Sequence, residues 1–203
     1  MIKNKKFQII SLGQNCIPRT ILTRHGIKPR KIWGELTYPF DLAIFGTIEI
    51  TKSLKTNFNE FFFDLNYQED KKYWKKEPNC ILFVHDTKDK KKLIETYKRR
   101  IENFKKEMKN PLPIIFIQLV ENDEDVENLY NELVRLRENR PFKLIIIDTQ
   151  AIVNFEKAEV LKLPFPSEEY RNNWWKKEFY NSKEGKLFEK TICDFLKFIV
   201  QNI

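Results

Sequence analysis

The stretch Gly13-Gln14-Asn15-Cys16 joins a glycine turn to a cysteine, the pattern in this sequence best suited to chemistry. A cysteine attacks carbon as its thiolate, so it needs a base to take the proton or a cation to hold the anion. An apolar run from Phe7 to Leu12 precedes the turn and reads as a short strand. Pro18 follows, where the first turn of a helix tolerates proline. Strand, turn and a helix starting at Cys16, with Asn15 as its cap, put the thiol at a helix N-terminus. Unpaired amides and the helix dipole favour negative charge there, so a lowered thiol pKa is expected. Gly13 and Asn15 are expected to line the substrate site. The Asn15 side chain, or the amides of Asn15 and Cys16, would donate to an oxyanion.

The chain has two histidines. His25 precedes Gly26 at the end of the first helix, which suits a capping role. His85 closes the apolar stretch from Cys80 to Val84 and is followed by Asp86; it is the candidate base, with a satisfied strand-end histidine as the structural alternative. Three carboxylates are open as the group that orients its ring. Asp86 adjoins it, although neighbours on an extended chain point to opposite sides unless the strand bends. Asp41 lies in the Pro39-Phe40-Asp41 turn, and Asp148 ends another apolar run. Cys80 and Cys193 sit in apolar surroundings and read as core. In Lys98-Arg99-Arg100, on a long charged helix, Arg99 and Arg100 are candidates to grip a phosphate or carboxylate; a solvated face is the alternative. Trp174-Trp175 suits stacking on a sugar or base, or packing in the core. No glycine-rich phosphate loop and no zinc-type cysteine spacing occurs, so neither cofactor nor metal is expected.

These residues need a scaffold. Strand-like runs at 7–12, 80–85, 114–120, 142–147 and 160–163 alternate with helical patterns at 48–55, 88–109, 123–137 and 185–200. Uniformly apolar strands alternating with helices predict one α/β domain over 1–203, a mostly parallel sheet of about five strands with helices on both faces, Rossmann-like and three-layered. Such sheets bind ligands beyond the carboxyl ends of their strands. Four ends carry polar residues: Gly13–Cys16, His85-Asp86, Glu121-Asn122 and Asp148-Thr149. Adjacent parallel strands would bring His85 beside Cys16. The aromatic run Phe58–Leu65 is expected to pack over the core, and Tyr67–Pro78 to be a surface loop.

With 203 residues and 41% hydrophobic composition, the chain can bury a proper core. Its net charge of +8 admits an anionic substrate. Scattered lysines and the lack of a recognised motif argue against nucleic acid. Three cysteines make no disulfide framework. The apolar stretch after MIKNKK is too short for a signal peptide, and nothing approaches the roughly 20 apolar residues of a membrane span. A reducing, cytoplasmic setting is the expectation. The oligomeric state is not written in the sequence.

Ser11-Leu12-Gly13-x-Asn15-Cys16, then Pro39-Phe40-Asp41, then His85-Asp86 before the Lys98–Arg100 helix, resembles a family of uncharacterised bacterial and viral proteins, the putative papain-like cysteine peptidases. The resemblance covers roughly the first half of the chain. It implies Cys16 as nucleophile, His85 as base, and Asp41 or Asp86 as third member, with Asp41 preferred. The family turn commonly reads PFDW, whereas Leu42 follows the aspartate here. A Cys–His pair on an α/β scaffold suits hydrolysis or acyl transfer on many substrates, not peptides in particular. The expected function is therefore a cysteine-dependent hydrolase or acyltransferase. The alternative is a transferase or binding protein for a phosphorylated sugar or nucleotide, with basic residues on the phosphate and Cys16 structural.

Overall fold

The computed structural model describes residues 7–29, 36–76, 81–121 and 125–201. Its elements run β1 (Gln8–Ser11), α1 (Ile17–Arg24), α2 (Thr47–Lys55), β2 (Leu65–Gln68), β3 (Tyr73–Lys76), β4 (Ile81–Phe83), α3 (Lys90–Met108) and β5 (Ile114–Val120). The second half adds α4 (Val126–Arg137), β6 (Phe142–Asp148), β7 (Glu159–Lys162), α5 (Glu168–Asn173), α6 (Lys177–Tyr180) and α7 (Lys183–Gln201).

Four strands form a parallel sheet in the order β1-β5-β6-β7. The seven residues of β5 are all buried and show no polar alternation, because both faces of the strand are covered. Ile115, Ile117 and Leu119 pack with Ile17 and Ile21 of α1 and with Phe188, Ile192, Leu196 and Ile199 of α7. Ile114, Phe116 and Val120 face the other way, onto Leu54 of α2, Tyr97 and Phe104 of α3, and Leu129 and Leu133 of α4. The helices start where their caps allow. Asp89 accepts from the amides of Lys91 and Lys92 at 2.9 and 3.1 Å, and Asp125 from Asn128 at 3.0 Å.

The expected five-stranded parallel sheet is corrected in one respect. The 80–85 stretch does not join it: β4 pairs antiparallel with β3, and β3 with β2, in a separate three-stranded sheet. Three apolar residues carry no signal of strand direction, and the partner strands were hidden in the segment read as a surface loop. Asn66, Gln68 and Lys75 make that hairpin polar on one face. Tyr67 and Trp74 hold it from the other as a cross-strand pair, ring centroids 5.2 Å apart. The aromatic run before it does pack inward, with Phe58 and Phe61 buried among Phe40, Phe45 and Phe83.

At the end of the parallel sheet where β5 and β6 begin, one side chain closes the fold. Arg137 is 1% exposed, and its guanidinium donates to the carbonyls of Glu107, Met108, Asn110, Leu112 and Pro141 at 2.9–3.1 Å. Among the described residues, no helix is long and apolar enough to cross a membrane.

Candidate functional site

The opposite end of the sheet carries the cysteine. Past β1 the chain turns at Gly13, whose φ of +91° lies in the region that L side chains avoid. The turn lays the Gln14 carbonyl against the Phe45 amide at 3.1 Å. Asn15 then caps α1, its Oδ1 accepting from the Ile17 amide at 2.9 Å. The helix therefore begins one residue later than expected, with Cys16 at its N-cap and the Cys16 carbonyl accepting from Thr20 at 2.9 Å. Neither the Asn15 nor the Cys16 amide has an acceptor among the described residues.

His85 reaches the same place by a different route from the one expected. It is not on a neighbouring parallel strand but in an exposed turn two residues past β4. The linker is the chain after the Pro39-Phe40-Asp41 turn. Ile44 exchanges backbone hydrogen bonds with Leu82 of β4 at 2.9 and 3.1 Å, while its neighbour Phe45 holds Gln14. This two-residue span ties β4 to the cysteine loop. Cys16 and His85 consequently line one cleft of about 640 Å³, together with Asn15, Thr20, Arg24, Leu42, Ile44, Val84, Trp174 and Trp175.

Two buried ionic groups stand behind the thiol. Asp41 is fully buried, accepts from the Tyr38 amide at 2.9 Å, and faces Arg19 at 4.0 Å and Lys28 at 3.8 Å. Asp86 accepts from the Tyr97 hydroxyl at 3.0 Å and faces Arg100 at 3.7 Å. Among the described residues His85 makes no hydrogen bond to either carboxylate. Burial first, then the Asp41 and Asp86 carboxylates, push the Cys16 thiol up to about 12, against an opposing pull from Arg100. This reverses the lowered pKa expected from the helix N-terminus. The side chain is only 5% exposed, and desolvation together with two negative charges outweighs the dipole. Burial likewise raises Tyr97 well above the ordinary tyrosine value.

The remaining candidates are dispersed. Arg100 is buried against Asp86, whereas Arg99 is exposed on α3 and lines none of the cleft. Gly13 shapes the loop. The Asn15 side chain is already engaged, its Nδ2 donating to Glu121 at 3.3 Å. Asp148 spends its carboxylate on the amides of Gln150 and Val153 at 3.1 and 2.7 Å. His25 caps α1 and reaches Glu189 at 2.8 Å. Cys193 is buried in the core under α7, with its thiol pushed up to about 11, largely by burial. Cys80 and Asn122 lie outside the described residues. Among those described, no cluster of His, Cys, Asp and Glu could hold a metal ion.

Sequence reasoning missed Arg19, Lys28 and Tyr97 behind the thiol, and Thr20, Arg24, Leu42, Ile44 and Val84 in the cleft lining. A signal existed for Thr20 and Arg24, which repeat the helical face of Cys16 at i+4 and i+8. None existed for Lys28, which a tertiary turn brings back under Asp41.

The model of the family described as Putative papain-like cysteine peptidase (DUF1796) matches residues 7–153. The chain belongs to that family. The matched stretch holds every residue that links Cys16, Asp41 and His85, and it ends before the tryptophans of the cleft. No curated protein and no solved structure matches the chain.

Proposed function

We propose that the chain is a cysteine-dependent hydrolase or acyltransferase, with Cys16 as nucleophile and His85 as base. The observation that carries this reading is that thiol and imidazole, 69 residues apart, line one cleft at the end of β1. On a Rossmann-like reading of the sheet, that is where ligands bind.

A thiol held near pKa 12 is protonated at neutral pH, so the reaction begins from the thiol rather than from a standing thiolate. As Sγ bonds to the substrate carbonyl carbon, its proton passes to the imidazole. The carbonyl oxygen becomes an oxyanion facing the free amides of Asn15 and Cys16. Collapse expels the leaving group, which takes the proton from the imidazolium, and leaves an acyl thioester on Cys16. Water, or an acceptor nucleophile, releases the acyl group by the reverse sequence. Asp41 and Asp86 act through the field: carboxylates that oppose a free thiolate couple loss of the Cys16 proton to bond formation with the substrate. The phosphate-binding alternative draws less support, because Arg24, Arg100 and Arg19 each face a carboxylate already.

Mass spectrometry after brief exposure to p-nitrophenyl acetate tests the proposal. An acetyl group on the Cys16 peptide is expected, absent in Cys16→Ala and formed about 10²–10⁴-fold more slowly in His85→Ala. Equal hydrolysis by wild type and Cys16→Ala would overturn it.

A further inference from the structure

We infer that the cleft takes a linear apolar acyl chain, with Trp174 and Trp175 as the wall that recognises it; this rests on the reading of Cys16 as an acyl-accepting nucleophile. Its volume of about 640 Å³ falls within the range of small-ligand pockets. The floor follows one face of α1 from Cys16 through Thr20 to Arg24, about 12 Å at 1.5 Å per residue. Leu42, Ile44 and Val84 add apolar lining, and so do the two indoles, whose ring centroids lie 6.0 Å apart with their planes nearly perpendicular.

Charge argues against an ionic ligand. Arg24 is ion-paired with the buried Glu189 and lies 3.7 Å over the Tyr180 ring, so its charge is met before any ligand arrives. The polar side chains left are few. Asn15 is held between Ile17 and Glu121, which leaves Thr20 and His85 for a substrate's own polar groups. A peptide would bury several amides there without partners, at a cost for each, whereas a methylene chain buries none. Trp175 is 56% exposed, a large apolar surface given to solvent where an acyl chain would cover it.

The wall is also tied to the reacting loop. Arg171, three residues before Trp174, pairs with Glu121 at 2.7 Å, and Glu121 accepts from Asn15. The indoles are thus held against the chain that carries Cys16, although they lie outside the stretch matched by the family. In this reading the shared stretch supplies the reacting groups, and the C-terminal segment supplies the choice of acyl group.

The test separates recognition from catalysis by using two probes on the full chain. The first is the rate at which N-ethylmaleimide and N-octylmaleimide modify Cys16, read by mass spectrometry, since this labelling needs no turnover. A preference for the octyl reagent of about tenfold or more is expected, each buried methylene contributing roughly fourfold. Trp175→Ala should bring the ratio close to one while Trp175→Phe largely retains it; the exposed position of Trp175 keeps the fold out of the comparison. The second probe is kcat/KM for p-nitrophenyl octanoate against the acetate and against an N-blocked leucine ester, with the octanoate expected to lead. Equal maleimide rates in the wild type, or a leading leucine ester, overturn the inference. An octyl preference without ester turnover upholds the apolar cleft and sinks the catalytic reading instead.

Discussion

The parallel sheet buries an arginine at its lower end and two more at its upper end, in environments built on different plans. Below, Arg137 meets no carboxylate among the described residues. Its two terminal nitrogens are spent on five backbone carbonyls where α3 ends and β5 and β6 begin, of which Glu107 and Pro141 also accept from backbone amides, and its Nε alone is left over. Above, Arg19 and Arg100 meet carboxylates at 4.0 and 3.7 Å, longer than a hydrogen bond. Arg19 Nη1, Arg100 Nη1 and Asp41 Oδ1 have no hydrogen-bond partner among the described residues. One end is a saturated clamp. The other keeps charge close to a thiol without fully neutralising it, an arrangement that costs stability and shapes a field.

The largest effect should come from the clamp. Arg137→Met removes five hydrogen bonds to buried carbonyls and is expected to cost about 3–5 kcal/mol in urea denaturation, at about 1 kcal/mol or a little less per lost bond. The dependence of Cys16 alkylation on pH should not move. A cost below about 1 kcal/mol would erase the contrast between the two ends.

A smaller loss, about 3 kcal/mol, is expected for Asp41→Asn, which removes the fully buried carboxylate that faces Arg19 and Lys28. Here the chemistry should respond as well. Asp41 holds the thiol pKa up, so its neutralisation lowers the pH at which iodoacetamide reaches half its limiting rate at Cys16. An unchanged midpoint would mean that Asp41 is as purely structural as the lower clamp.

The upper end can be sharpened by a pair of substitutions with opposite signs. Asp86→Asn removes a charge that raises the Cys16 pKa and should shift the alkylation midpoint down. Arg100→Met removes one that lowers it and should shift the midpoint up. The two side chains face each other largely out of water, so each substitution is expected to cost about 2 kcal/mol, less than at the fully buried Asp41. Shifts of the same sign would show that burial alone sets the thiol.

Much of this scaffold is legible in the sequence because its long elements carry a period. The apolar face of α3, the uniform strands β5 and β6, and the strand–glycine–cysteine start all follow from spacing. The hairpin β2–β3 does not, since short strands with polar residues on one side resemble a charged loop until a partner aligns Tyr67 with Trp74. The site was less readable for the same reason. His85 joins Cys16 through two isolated backbone bridges, Gln14 to Phe45 and Ile44 to Leu82, and a single bridge leaves no pattern to count. The thiol was misjudged in sign because the helix position of Cys16 is local, whereas the burial and the two aspartates that oppose ionisation arrive through tertiary contact.

The covering of the sheet has one further consequence. Phe188, Ile192, Leu196 and Ile199 of α7 close over Ile115, Ile117, Ile145 and Ile147, yet all four lie beyond residue 153, where the family match ends. A chain cut at that boundary would keep the cysteine, the histidine and both aspartates, and would leave one side of its central strands bare to water. The end of the family match is therefore not a place at which the chain can be excised. In this chain the segment beyond residue 153 thus supplies both that cover, from α7, and the tryptophans of the cleft, from the end of α5.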